Sequence, residues 1–267
     1  MKEKISVIMP IYKPDEKVLE KVKEMLKKQT IKPFEIIENW DMPEIISINT
    51  GIKKAKGDFI VILEQDCVPE NEFWLERLIA PLKDKSIVAT VSDLDLSEEY
   101  WSKYPFLTKI LTINELKETR SLMDIRACGY RKETLKKINY INEDPKLISV
   151  DVDHRLSLEK LGKIVHPGCK VYHLHPLTNR KKIRLVYNYA RGGGIIARLY
   201  KFKDKGFWYR IARATPILGM FPIIYVFPWE KFGKYWPWLF PHLLLAPLQH
   251  IIYIAGFLKG FLWDWKN

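Results

Sequence analysis

The stretch Gly57-Asp58-Phe59-Ile60-Val61-Ile62-Leu63-Glu64-Gln65-Asp66 decides how this chain is read. An apolar run opened by a turn residue reads as a buried strand of a parallel sheet, and such sheets gather their ligands at the carboxyl ends of their strands. Here the run ends in two carboxylates one residue apart. That edge suits a divalent cation such as Mg(II) or Mn(II), which takes one or two carboxylates and completes its shell with phosphate oxygens and water.

The pattern before it repeats the unit. Ile5 to Pro10 is an apolar strand stopped by proline, and Asp15 to Gln29 carries Val18, Leu19, Val22, Met25 and Leu26 at helical spacing. Phe34 to Ile37 reads as a second strand, Ile45 to Ala55 as a second helix and Asp58 to Leu63 as the third strand. The alternation predicts an α/β fold with a doubly wound, mostly parallel, Rossmann-like sheet. Farther on, Asn71 to Leu82 reads as a helix, Ser86 to Val91 as a strand, and the pattern loosens from Asp93 to Asp124. Asp151 to Leu161 is helical, and Lys163 to His173 is a strand pair broken at Pro167-Gly168.

Three acid-x-acid triplets compete for chemistry: Glu64-Gln65-Asp66, Asp93-Leu94-Asp95 and Asp151-Val152-Asp153. The first stands at a strand end and is the ligand position, because Cys67-Val68-Pro69 then turns the chain toward a helix. Asp93 and Asp95 lead into a polar run and read as a solvated loop. Asp151 opens a helix, where a carboxylate either caps the helix or serves as a general base.

At these residues the chain resembles family 2 glycosyltransferases, which have the GT-A fold. ISVIMPIYKP from Ile5, INTGIKKAKGDFIVILEQDCVPE from Ile48 and SVDVDHRLSLEKLGKIVHPGCKVYH from Ser149 look like that family's successive motifs, over roughly Lys4 to His175. The resemblance implies that Pro10 and Tyr12 line a nucleotide pocket, that Asn49 and Gly51 lie near a nucleoside-diphosphate sugar with Gln65, and that Glu64 and Asp66 bind the metal. It makes Asp151 the base that deprotonates the acceptor hydroxyl in an inverting displacement. Departures from the family pattern are Glu64 in place of the usual Asp, Val150 in place of the acid before the base, and Glu38-Asn39-Trp40-Asp41 in place of an Asp pair, which splits the contact to base and ribose between Glu38 and Asp41. His173 is either a third metal ligand or a structural imidazole. Arg191-Gly192-Gly193-Gly194 reads as a hinge or as a phosphate-cradling turn, with the hinge favoured and Arg191 a diphosphate contact.

The 267 residues suffice for one large domain with an appendage. The 44 Lys and Arg exceed the 32 Asp and Glu, and from Arg180 to Arg213 there are eleven basic residues against the single acid Asp204. Ala214 to Trp229 and Tyr235 to Leu258 then carry no charge, and six of the nine Trp fall between Phe207 and Trp265. Basic residues beside aromatic-rich apolar segments mark a membrane interface rather than a nucleic-acid surface. Pro237, Pro241 and Pro247 leave a re-entrant hairpin and a true span equally open, and a soluble helix pair as the third reading. Within the second segment His242, Ala246, Gln249, Tyr253 and Gly256 form the face expected to pack on protein, with Leu244, Leu248, Ile251 and Phe257 toward lipid.

The polar Met1 to Lys4 gives no signal-peptide pattern, and three scattered cysteines suggest neither a disulfide framework nor a zinc spacing. The expected organisation is a catalytic domain over residues 1–178, a basic connector over 179–213 and a helical membrane-associated region over 214–267, at the cytoplasmic face of the cell membrane. The expected partners are a nucleoside-diphosphate sugar, a glycan or lipid-linked acceptor and membrane lipids, with no nucleic acid. One rival is a nucleotidylyltransferase, although MPIYKPDEK lacks a glycine-rich phosphate loop. The other is a non-catalytic membrane adaptor, which loss of Asp66 or Asp151 would favour.

Overall fold

A computed structural model describes residues 4–33, 35–116, 123–144, 146–174, 177–221 and 227–264. Two compact units divide the chain. The first comprises Met1–Ser97, Glu118–Glu143 and Asp153–His175, and the second Glu98–Lys117, Asp144–Val152 and Pro176–Asn267.

The first unit is built on β1 (Ile5–Ile11), whose seven residues are all buried. Helix α1 (Glu16–Lys28) follows, with the Asp15 carboxylate accepting from the N–H groups of Lys17 and Val18 and satisfying donors that the first turn leaves free. Next come β2 (Glu35–Trp40), α2 (Glu44–Lys54) and the wholly buried β3 (Phe59–Leu63). Phe34, placed in the second strand from sequence, lies outside the described residues. Gly57 turns the chain into β3 so close to β1 that a Cβ there would collide with the backbone of Ser6, whose Oγ accepts from the Gly57 N–H at 2.8 Å.

Strand β4 (Cys67–Pro69) and helix α3 (Trp74–Ile79) follow, then β5 (Ile87–Val91) and β6 (Asp93–Asp95). The second unit holds α4 (Glu98–Ser102) and α5 (Phe106–Thr112). The chain continues through β7 (Ala127–Arg131), α6 (Lys132–Lys137), α7 (Val150–Glu159), β8 (Lys163–Val165) and β9 (Lys170–His173). The main sheet runs β2-β1-β3-β7-β5-β8 and a smaller one runs β4-β9-β6. In the main sheet β7 alone is antiparallel to its neighbours.

Two expectations change here. Lys163 to His173 does supply two strands, but β8 pairs with β5 and β9 with β4 and β6, so they do not pair with each other. Asp93 and Asp95 form strand β6 instead of a solvated loop, and Asp93 is buried with its Oδ1 3.1 Å from His166 Nδ1.

In the second unit α8 (Asn179–Tyr200) is continuous through Gly192, Gly193 and Gly194, so these residues are not a hinge. Two of them are tight packing positions: a Cβ on Gly192 would overlap the Ser149 hydroxyl and one on Gly194 the carbonyl of Phe257, just as one on Gly256 would overlap the carbonyl of Tyr187. After α9 (Phe207–Ala214), α10 (Phe232–Leu258) runs unbroken through Pro237, Pro241 and Pro247 for about 40 Å at 1.5 Å per residue. The re-entrant hairpin is therefore not what α10 forms. Trp229–Leu262 is long and apolar enough to cross a membrane. His242, Ala246, Tyr253 and Gly256 are buried as expected, and so is Phe257, which packs with Ala190, Ala197 and Tyr253 rather than facing outward. Leu244, Leu248 and Ile251 are exposed.

Candidate active site

The carboxyl ends of β1 and β3, with the turn from β2 into α2, enclose a cleft of about 430 Å³ lined by Pro10, Ile11, Tyr12, Asp41, Met42, Pro43, Glu44, Glu64, Gln65 and Asp66. Parallel pairing of β1 with β2 and β3 brings these ends to one edge. Asp41 holds a left-handed backbone at φ 55°, while its N–H bonds the Ile11 carbonyl at 2.9 Å. Non-glycine residues adopt that conformation rarely, Asp more readily than most.

Glu64, Asp66, Cys67 and His173 each place one ligand atom so that all four lie within 4.8 Å of one another. His173 arrives from β9, where Cys67 is its antiparallel partner. Its Nε2 is 3.3 Å from Asp66 Oδ2, and its Nδ1 is 3.0 Å from Arg126 Nη1. A guanidinium only donates, so Nδ1 accepts and, in the neutral ring, the proton sits on the nitrogen facing Asp66. Arg126 is held by a two-pronged bond to Asp124, at 2.8 Å from Nε and 2.6 Å from Nη2.

The electrostatics are those of crowded carboxylates. Burial first, then the Glu44 carboxylate, pushes the Glu64 carboxyl well above the ordinary range, against the pull of Arg126. Burial also works to raise Asp124, but the charge and hydrogen bonds of Arg126 more than reverse it and hold that carboxyl low. Two carboxylates and an imidazole, with negative charge unbalanced at Glu64, fit a divalent cation that shares its shell with phosphate oxygens.

Of the residues singled out from sequence, Pro10, Tyr12, Asp41, Glu64, Gln65 and Asp66 line the one cleft, and His173 joins the acids. Glu38 does not line it; its carboxylate pairs with Lys23 at 2.7 Å. Asn49 and Gly51 also stand elsewhere. The Asn49 amide bonds the Ile141 carbonyl and Glu143, pinning the segment after α6 to α2, and Gly51 packs against Ile8 and Asn39. Arg191 is paired with Asp264, so its guanidinium serves the packing of the second unit. Asp151 is in the first turn of α7, partly exposed. His175 lies outside the described residues. Sequence reasoning missed Glu44, Asp124 and Arg126: the last two stand in the turn just before β7, where no local pattern marks them.

Residues 44–139 match the family model for Glycosyl transferase family 2. A curated relative, the dolichyl N-acetyl-alpha-D-glucosaminyl phosphate 3-beta-D-2,3-diacetamido-2,3-dideoxy-beta-D-glucuronosyltransferase of Methanococcus voltae, is 32% identical over 72 residues, which are 27% of this chain and 22% of the relative. Among solved structures, mannosyltransferase PcManGT from Pyrobaculum calidifontis, in complex with GDP-Man and Mn2+, aligns with a TM-score of 0.60 at 12% identity, covering 99% of this chain and 88% of the other. GalNAc-T7 with UDP, GalNAc and Mn2+ aligns with a TM-score of 0.52 at 15% identity, covering 80% of this chain and 52% of the other. The fold is of the GT-A type. Within it, the match to the Glycosyl transferase family 2 model covers residues 44–139, from the start of α2 to just past α6.

Proposed function

We propose that the protein is an inverting glycosyltransferase that moves a sugar from a nucleoside diphosphate to a lipid-linked or cell-surface glycan acceptor, using Mg(II) or Mn(II). The observation that carries this reading is the cleft joining Pro10, Tyr12 and Asp41 to the acids at the end of β3. Support comes from the nucleotide-sugar and Mn2+ complexes of the aligned structures and from the dolichyl-phosphate-linked substrate in the curated relative's name.

Glu64, Asp66 and His173 would hold the cation, which when bound neutralises charge on the departing diphosphate. Tyr12, a residue 55% exposed, would offer the nucleobase an apolar face, and the Asp41 carboxylate in the same cleft would accept from ribose hydroxyls. Asp151 takes the acceptor's proton as the acceptor oxygen attacks the anomeric carbon opposite the breaking bond to the diphosphate. One base suffices, and the configuration inverts. The basic stretch and α10 keep the enzyme at the cytoplasmic face of a membrane, beside a lipid-borne acceptor.

The test is a panel of nucleoside-diphosphate sugars offered to the full chain in lipid nanodiscs with Mn(II), reading thermal shift and release of nucleoside diphosphate. One or more donors should bind and turn over only with the metal present. Failure of every donor to bind would overturn the reading, and binding without turnover in the presence of lipid acceptors would identify a nucleotide-sugar-binding adaptor.

A further inference from the structure

We propose that Cys67 is a ligand in the cation site for borderline-soft divalent ions, completing with Glu64, Asp66 and His173 a four-donor set that prefers Zn(II) or Co(II) to Mg(II). This rests on the cation-site reading above and extends it to the choice of metal. Cys67 opens β4 directly opposite His173 of β9 in an antiparallel pair, and residues so paired project their side chains from the same face. The Leu174 N–H bonds the Asp66 carbonyl at 2.8 Å and fixes that register beside the acids. The sulfur therefore shares the 4.8 Å cluster with two carboxylates and an imidazole.

Cys67 is fully buried, and its polar neighbour is the Asp66 carboxylate, with Oδ1 4.0 Å away. The other two cysteines are engaged elsewhere, Cys128 against the Ile125 carbonyl and the Tyr130 hydroxyl and Cys169 against Ser92. Thiolate is the soft donor among the biological ligands and selects Zn(II) over Mg(II), which takes oxygen. The exchange balances: the metal–sulfur bond forms as the S–H bond breaks and its proton leaves to solvent. The metal–nitrogen bond forms as the His173 proton facing Asp66 passes to Nδ1, which gives up its contact with Arg126. Four protein donors close a tetrahedral shell, the arrangement of structural rather than catalytic zinc sites. Zn(II) so bound leaves no position for diphosphate oxygens and acts as an inhibitor.

Co(II) titrated into the full-length protein gives the direct readout. The expected result is a thiolate-to-Co(II) charge-transfer band in the near ultraviolet that is lost in Cys67→Ser and kept in Cys128→Ser. Outer-shell partners of metal sites cost about 10- to 100-fold in affinity when removed, so loss of a direct ligand should weaken Zn(II) binding by at least about tenfold. Mn(II) affinity, read by electron paramagnetic resonance, should fall much less than Zn(II) affinity in Cys67→Ser. The wild-type spectrum needs no variant, so a Cys67→Ser protein that fails to fold does not remove the test. Co(II) bound without the thiolate band, or a band that survives Cys67→Ser, overturns the proposal, and Mn(II) binding in the same samples leaves the cation site itself standing. Binding of neither ion overturns both.

Discussion

The side-chain amide of Gln65 closes on both backbone groups of Tyr12, accepting from its N–H at 2.8 Å and donating to its carbonyl at 3.0 Å. The end of β1 is thereby tied to the turn after β3, and the exposed Tyr12 ring is held at the mouth of the cleft. Gln65→Ala removes both bonds and lets that wall move. Donor affinity should fall about tenfold, or about 1.4 kcal/mol, with the melting temperature little changed. Calorimetric titration with the nucleoside diphosphate checks this, and an unchanged dissociation constant refutes a positioning role.

Asp66 and Asp151 should fail in different ways. Asp66→Asn should lose Mn(II) binding and metal-dependent transfer together while the fold survives. Asp151→Asn should keep donor affinity and lower turnover by about 10²- to 10⁴-fold, the usual contribution of a general base. Donor affinity that collapses in Asp151→Asn, with turnover of bound donor preserved, would make this residue a binding or capping group.

A pH-dependent loss of stability is expected at His154. This ring is buried on α7, with Nε2 3.1 Å from the Tyr130 hydroxyl, and burial lowers its pKa from 6.5 to about 4. The unfolded chain takes up the proton first, so the contribution is complete above pH 6.5 and is lost as pH falls toward 4. The loss amounts to about 3 kcal/mol at most. Urea unfolding between these pH values should show a shallower slope for His154→Gln, which keeps an acceptor for Tyr130 and does not titrate; parallel slopes would remove His154 as the cause.

Close helix packing gives a paired test. Gly194→Ala would press a methyl into the Phe257 carbonyl, whereas the Cβ of Gly233→Ala meets nothing within 4 Å. The first should destabilise the protein in detergent by about 1–3 kcal/mol, and the second should stabilise it by no more than about 1 kcal/mol. Equal melting temperatures for the two variants would show that α8 and α10 do not pack as closely as described.

The exposed face of α10, including Trp236 at 60%, Phe240 at 69% and Leu244 at 62%, calls for a nonaqueous neighbour. The full chain should float with anionic liposomes and keep floating in high salt, because apolar contact persists where screened charge does not. Release by salt alone would leave only the basic stretch as the attachment.

Local chemistry explains which elements were legible in the sequence. The Asp15 cap, the spacing from Val18 to Leu26 and the apolar runs of β1 and β3 are each encoded within a few residues. By contrast, Ala127-Cys128-Gly129-Tyr130-Arg131 is a strand because β3 and β5 bond it on both sides, and no local pattern announces that. The same holds for Cys67-Val68-Pro69, whose partner strand comes much later in the chain. Glycine and proline misled for the opposite reason: Gly192 to Gly194 and the three prolines of α10 are poor helix residues in isolation, and tertiary packing overrides that preference. Within the cleft, the acids and Tyr12 could be found because they end strands. Arg126 could not, because its importance arises only where His173 meets Asp66.

Because β4 is completed by β9, positions 67 and 173 must meet before the acids acquire their imidazole. A ribosome delivers Glu64 and Asp66 long before His173. A nascent chain that stops short of β9 therefore carries the two carboxylates but cannot assemble the full donor set, and a metal-binding signal measured during synthesis would date the arrival of that strand.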